Sequence, residues 1–124
     1  MATKNFDMRT LEETLESKEG IVLLDFWAEW CGPCRAFSPI YEAASEEHPD
    51  VTFGKVDTEA ERELAGAFQI ASIPTLMAFR DGILLFRQPG MLPAAALDEL
   101  VKKVKELDMD EVRSSLEKEK AAAE

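Results

Sequence analysis

The sequence predicts an α/β protein: a mixed β-sheet flanked by helices on both faces, in the order βαβαβαββα, with an extra short C-terminal helix. Three observations carry that reading. Apolar runs of strand length alternate with stretches of helical period through the first half of the chain, as in strands joined by crossover helices. Ile21–Trp27 is almost continuously apolar, the mark of a central strand covered on both faces. Asp81-Gly82 separates two further apolar runs, a strong hairpin signal that adds an antiparallel pair.

Residues 4–7 are too few to place by pattern. Residues 10–18 set Leu11 against Leu15 at i, i+4 with acidic residues between them, and Gly20 ends that helix. The central strand follows. Over 32–47 the stripe Phe37, Ile40, Tyr41 and Ala44 is helical; Pro39 removes one backbone hydrogen bond inside it, so a kink is expected there. After His48-Pro49-Asp50, residues 51–56 read as a strand and 59–68 as a short helix with Leu64, Ala65 and Phe68 inward. The hairpin strands are 75–79 and 83–87, and Pro93 opens a helix through Leu97, Leu100, Val101, Val104 and Leu107.

Beyond Leu107, Asp108 and Glu111 have the spacing of a capping box, and Met109, Val112 and Leu116 form a thin apolar stripe. A separate helix over 109–118 is expected, a continuous extension of the preceding helix being the alternative. The chain thus divides into a domain over 1–107 and a helical extension over 108–124. So short a helix is marginal alone in water. It should dock weakly or fray and take no part in chemistry; the competing reading lets it cover apolar surface near Trp30.

A length of 124 residues suits one domain with a real core. The formal net charge of −11 disfavours nucleic acid and anionic membrane as partners. No apolar run approaches a membrane span. Met1-Ala2-Thr3-Lys4-Asn5 lacks the basic start and apolar core of a signal peptide, so a reducing cytosol is the expected setting.

Both cysteines lie in Trp30-Cys31-Gly32-Pro33-Cys34, where a buried strand delivers them to the first turn of a helix. That turn has unpaired N–H groups and the positive end of the helix dipole, which favour a thiolate, the form that attacks disulfides. Cys31 reads as the more accessible sulfur and Cys34 as the inner one. Proline suits the first helical turn, and Gly32 leaves room for an approaching backbone. Two other readings stand beside this one: a pair of buried reduced thiols, or half of a zinc site. The latter needs four ligands, and with only His48 left as a soft donor it would need a second chain. Asp25 sits in the apolar strand on the face of Leu23 and Trp27, a costly place for a carboxylate unless the strand ends early and Asp25 meets solvent. Lys55 would ordinarily be a surface residue, Pro74 an ordinary trans proline, and His48 a solvated helix-end residue.

These residues resemble the thioredoxin family. Trp30-Cys31-Gly32-Pro33-Cys34 is similar to its active-site signature, preceded by matching Asp25, Phe26, Trp27 and Ala28; Ile73-Pro74-Thr75 resembles its cis-proline loop, and Gly90 its loop glycine. The resemblance covers roughly residues 5–107. It implies the thioredoxin fold, with residues 4–7 as an edge strand, and activity as a protein disulfide reductase. Cys31 would attack a substrate disulfide, and Cys34 would resolve the mixed disulfide, leaving a redox-active Cys31–Cys34 bridge that thioredoxin reductase recharges.

The same resemblance implies that Asp25 is buried below Cys34 as its proton acceptor, with Lys55 beside it. It also implies a cis Ile73–Pro74 bond facing the cysteines, and a substrate-binding patch of Trp30, Gly32, Pro33, Ile73, Pro74, Gly90 and Met91. The Gly32-Pro33 pair goes with the reducing members. Ala71 and Ser72 depart from the glycine or charged residue frequent before this loop, and Arg35 stands where many members carry lysine. No bound cofactor and no metal are implied; the partners are thioredoxin reductase and disulfide-containing proteins, not nucleic acid or membrane, and the protein is expected to be a cytoplasmic monomer. A binding module of the same fold that recruits one client is the competing function, and an oxidase or isomerase a third; reduction of a model protein disulfide separates the first two.

Overall fold

The computed structural model describes residues 2–123. Its five-stranded sheet has the order β1 (Thr3–Asn5), β3 (Thr52–Asp57), β2 (Ile21–Trp27), β4 (Thr75–Arg80), β5 (Ile83–Pro89). β1 and β2 run parallel to β3, whereas β4 is antiparallel to β2 and β5 to β4. The helices are α1 (Met8–Glu16), α2 (Gly32–Glu47), α3 (Arg62–Ala67), α4 (Ala94–Glu106) and α5 (Met109–Ala123). None is long and apolar enough to cross a membrane.

The continuous apolar run of β2 has its explanation in the two cores it divides. Leu23 packs with Phe37 and Tyr41 of α2 and with Leu97 and Val101 of α4. Val22, Leu24 and Phe26 face the other way, towards Leu11 of α1 and Leu64 of α3. Successive side chains on a strand point to opposite faces, so both parities had to be apolar. On β3, Gly54 is required for packing: a Cβ there would collide with the Phe6 ring and lie 3.0 Å from Leu24 Cδ2.

Local side-chain chemistry moved several boundaries. α1 begins at Met8 because Asp7 caps it, accepting from Thr10 N at 2.8 Å while Thr10 Oγ1 accepts from Asp7 N at 2.9 Å. This capping box uses threonine where the familiar pattern has Glu or Gln. α3 begins at Arg62, later than expected, since Asp57 Oδ1 takes the N–H groups of Glu59 (2.9 Å) and Ala60 (3.3 Å) and turns the chain first. α2 continues through Pro39. In the hairpin, Asp81 (φ 54°) and Gly82 (φ 82°) are both left-handed, as a type I′ turn demands.

His48 is not solvated. It is buried at the end of α2, with Nε2 2.8 Å from Asp98 Oδ1 and Nδ1 3.2 Å from Lys105 Nζ, and so ties α2 to α4. Asp98, Lys102 and Lys105 share a face of α4 by helical spacing, which carries no hint of the helix they meet.

α5 is a separate helix. Leu107 leaves helical geometry (ψ 138°), and Arg80 Nη1 donates to the carbonyls of Val104, Lys105 and Leu107 at 2.8, 3.1 and 3.0 Å, closing the end of α4. Asp108 Oδ1 then caps α5 through the N–H groups of Asp110 (3.0 Å) and Glu111 (3.3 Å). The helix runs on to Ala123, past the expected end, because the alanines there are strong helix formers. It docks through buried Met109 and an Arg113–Asp81 ion pair of 3.0 Å. Arg113, Leu116, Glu117 and Lys120 line a groove with Lys18, Asp81, Gly82 and Ile83, at the far end of β4 from Pro74, so α5 does not cover the surface near Trp30.

Candidate active site

β2 ends at Trp27, and the chain reaches α2 through residues 28–31, with Cys31 as N-cap (φ −84°, ψ 113°). Pro33 occupies the first turn, where its missing N–H costs nothing. Cys31 and Cys34 form a disulfide with a Cα–Cα distance of 5.2 Å, and the N–H of Cys34 points at Cys31 Sγ at 3.2 Å. The expected contrast in exposure is absent: Cys31 is 4% and Cys34 3% exposed. Trp27, Ala28 and Ile73 pack around both sulfurs. What distinguishes Cys31 is its place at the cap and its Sγ lying 3.7 Å from the carbonyl oxygen of Ile73.

That carbonyl belongs to a cis Ile73–Pro74 bond. Pro74 is itself buried, and its carbonyl accepts from Gly90 N at 2.7 Å, joining the loop to the end of β5. Gly90 has φ 92°, a conformation that favours glycine. The outer surface is supplied by Gly32, Pro33, Gly90, Met91 and Trp30, the last 66% exposed. A groove of about 200 Å3 beside Trp30 is lined by Ile70, Ala71, Ser72 and Ile73 among others.

Asp25 is only 1% exposed, so it does not meet solvent. Neither carboxylate oxygen has a hydrogen-bond partner among the described residues. Burial raises its pKa from 3.8 to about 7, against a smaller lowering by the Lys55 ammonium. Lys55 is Asp25's register partner across β2 and β3 and is half-buried. Its Nζ sits 4.8 Å above the Trp27 ring centroid and donates to Ser38 Oγ at 3.5 Å.

Two residues with no motif to announce them join the site. Glu59 accepts from the Trp30 indole N–H at 2.8 Å and is braced by Arg62 at 3.2 Å. Ser38 lies one helical turn after Cys34 on the same face of α2, a spacing that marks its position without revealing its partner. Away from this centre, ligand atoms of Glu47, His48 and Asp98 lie within 4.8 Å of one another. Lys102 and Lys105 already engage Asp98 (2.9 Å) and His48 (3.2 Å), and no metal is assigned there.

A helix-capping dithiol opposite a cis-proline loop, on a five-stranded mixed sheet, defines a thiol–disulfide oxidoreductase. The thioredoxin family model matches residues 2–115, and the chain belongs to the thioredoxin family. A Streptomyces coelicolor protein assigned as thioredoxin 2 is 52% identical over 123 residues, 99% of this chain and 87% of that protein. Thioredoxin of Bacillus subtilis is 43% identical over 89 residues, 71% of this chain and 86% of its own. Among solved structures, a thioredoxin variant from Halobacterium salinarum superposes with a TM-score of 0.77 at 31% identity, covering 86% of this chain and 93% of that one. The Cys31–Cys34 disulfide is thus the redox-active group of a thioredoxin-fold oxidoreductase.

Proposed function

We propose that the protein is a general protein-disulfide reductase of the cytoplasm, recharged by a thioredoxin reductase. Residues 1–107 are its working domain and 108–124 an appended helix. The observation that carries this reading is the Ile73 carbonyl 3.7 Å from Cys31 Sγ: an extended substrate segment can pair with that backbone while presenting its disulfide to the sulfur. Such pairing tolerates many sequences, and the apolar groove beside Trp30 takes the flanking side chain.

In the reduced protein, Cys31 at the cap of α2 is the attacking thiolate, held by the N–H that now points at its sulfur. It attacks one substrate sulfur; the substrate S–S bond breaks and a mixed disulfide forms. Cys34 gives its proton to Asp25 and attacks Cys31, releasing the substrate as a thiolate that takes a proton from water. The substrate disulfide gains two electrons and the dithiol is oxidised to the bridge. Lys55 stands beside Asp25 and limits how far burial raises its pKa. Trp30, Gly32, Pro33, Ile73, Pro74, Gly90 and Met91 form the docking surface around the sulfurs.

Reduction of insulin, monitored by NADPH oxidation through an added bacterial thioredoxin reductase, tests both halves. Sustained turnover is expected. Reduction with dithiothreitol but none with the reductase would refute the assignment of the electron donor, and failure with both would refute the reductase reading itself.

A further inference from the structure

Behind Cys34 lies a cleft of about 90 Å3, walled by Trp27, Glu29, Cys34, Arg35, Ser38 and Lys55. It is large enough to hold water. Trp27, in its wall, has a buried indole N–H with no partner among the described residues, and so has the carboxylate of Asp25, the register partner of the lining Lys55. Buried polar atoms are rarely left unpaired, and water is the usual remedy. The cleft therefore offers a place for water close to a buried acid.

A proton crosses such a cleft most directly through groups that accept and donate in one step, as water does and, among side chains, a hydroxyl. Lys55, Arg35 and Trp27 are donors only, and the Glu29 carboxylate has no proton to hand on in the step in which it accepts one. The hydroxyl of Ser38 does both, and its oxygen already receives Lys55 Nζ at 3.5 Å. α2 sets Cys34 and Ser38 four residues apart on one face, above the face of β2 that bears Leu23, Asp25 and Trp27.

We infer that Ser38 is a positioning residue for the resolving step: its hydroxyl, held by Lys55, orders the water in this cleft and passes the proton from Asp25 to solvent. The inference rests on the proposed role of Asp25 as acceptor of the Cys34 proton. As the Cys34–Cys31 bond forms and the Cys31–substrate bond breaks, the Cys34 proton moves to Asp25. It then passes to a water, from that water to Ser38 Oγ, and the hydroxyl's own proton leaves outward. Where Asp25 begins protonated, as its burial favours, the same discharge must precede removal of the Cys34 proton, and the route then limits resolution. The charged groups facing this route are Asp25 from β2, Lys55 from β3, and the lining Glu29 and Arg35; the Asp25 charge also acts on buried Tyr41, whose pKa is raised first by burial.

Stopped-flow tryptophan fluorescence on the reduced protein mixed with a protein disulfide gives the resolution rate; first attack is isolated in a Cys34→Ser background. Ser38→Ala should slow resolution about tenfold, below the 10²–10⁴ that a general base itself supplies, and leave first attack unchanged. Added imidazole, a mobile proton carrier, should restore the Ser38→Ala rate and do nothing to the parent. Ser38→Thr, which keeps the hydroxyl, should resolve near the parent rate. Parent-like resolution in Ser38→Ala without buffer dependence would mean that water alone carries the proton, and overturns the inference. Equal slowing of both steps would mark a merely structural role and overturn it too. Asp25→Asn run in parallel tells the failures apart. If it slows resolution while Ser38→Ala does not, only Ser38 is misassigned. If it does not, the role given to Asp25 falls and takes this inference with it.

Discussion

Replacing Asp25 by asparagine should stabilise the protein by an amount that grows with pH. In the folded chain the carboxyl titrates at about 7 rather than 3.8, burial being the dominant cause. Below 3.8 both folded and unfolded chains carry the proton, and Asp25 contributes no pH dependence. Between 3.8 and about 7 the unfolded chain has released the proton while the folded chain keeps it, so stability falls as pH rises. Above about 7 both are ionised and the penalty is complete. Three pKa units at 1.36 kcal/mol each make it about 4 kcal/mol.

Asparagine has the same shape and no charge, and its amide is as poorly partnered as the protonated acid. Asp25→Asn should therefore match the parent near pH 4 and exceed it by about 4 kcal/mol at pH 8. With a urea dependence of about 2 kcal/mol/M for a chain of this size, the midpoint shifts by about 2 M. Urea unfolding of both oxidised proteins at intervals from pH 4 to 8 measures this directly. Asp7, Asp50 and Asp98 have lowered pKa values and lose stability in the opposite direction, as pH falls, but they are common to both proteins and cancel in the difference. A difference that is the same at pH 5 and pH 8, or zero at pH 8, would refute burial as the cause of the raised pKa.

Other outcomes follow from the same geometry. Limited alkylation of the reduced protein with peptide mapping should label Cys31 before Cys34, and Cys34→Ser should accumulate mixed disulfides with substrate; faster labelling of Cys34 would reverse the roles. Gly54→Ala should cost about 1–3 kcal/mol in chemical unfolding, since the added methyl must displace the Phe6 ring. A parent-like midpoint would show that ring to be free to move. Truncation after Leu107 removes buried Met109 and the Arg113–Asp81 pair, and should cost about 2 kcal/mol while leaving disulfide reduction unchanged. A marked loss of turnover at full folding would show that α5 takes part in partner binding despite its distance from Trp30.

Much of the fold was legible because β2, α2 and the hairpin obey local rules strongly. An unbroken apolar run, a four-residue stripe and Asp81-Gly82 each admit few alternatives. The misplacements have a common origin in side chains that satisfy backbone donors out of pattern. Thr10 completes the cap of α1, and Asp57 delays α3. His48 was misread for a different reason: its burial depends on Asp98 and Lys105, some fifty residues on, and no local pattern encodes that meeting. The site was legible through Cys31, Cys34 and the Ile73-Pro74 loop by resemblance. Ser38 and Glu59 stayed hidden, because a serine or glutamate near a helix surface looks the same with or without a partner.

The placement of Lys55 ties the cost of Asp25 to the proposed chemistry. A lysine in register with a buried carboxylate would ordinarily pair with it, repaying part of the desolvation and pulling the acid's pKa well below neutral. Here the ammonium is directed over the Trp27 ring and onto Ser38 Oγ, and the carboxylate is left without a partner. Lys55 therefore acts on Asp25 only through space, weakly enough that burial prevails and the pKa stays at about 7. A base is most effective when its pKa lies near the working pH, able to take a proton from Cys34 and to give it up again within one turnover. Direct pairing would improve stability above pH 7 and leave too weak a base. The unpaired arrangement gives up about 4 kcal/mol of stability and keeps Asp25 poised where thiol chemistry operates.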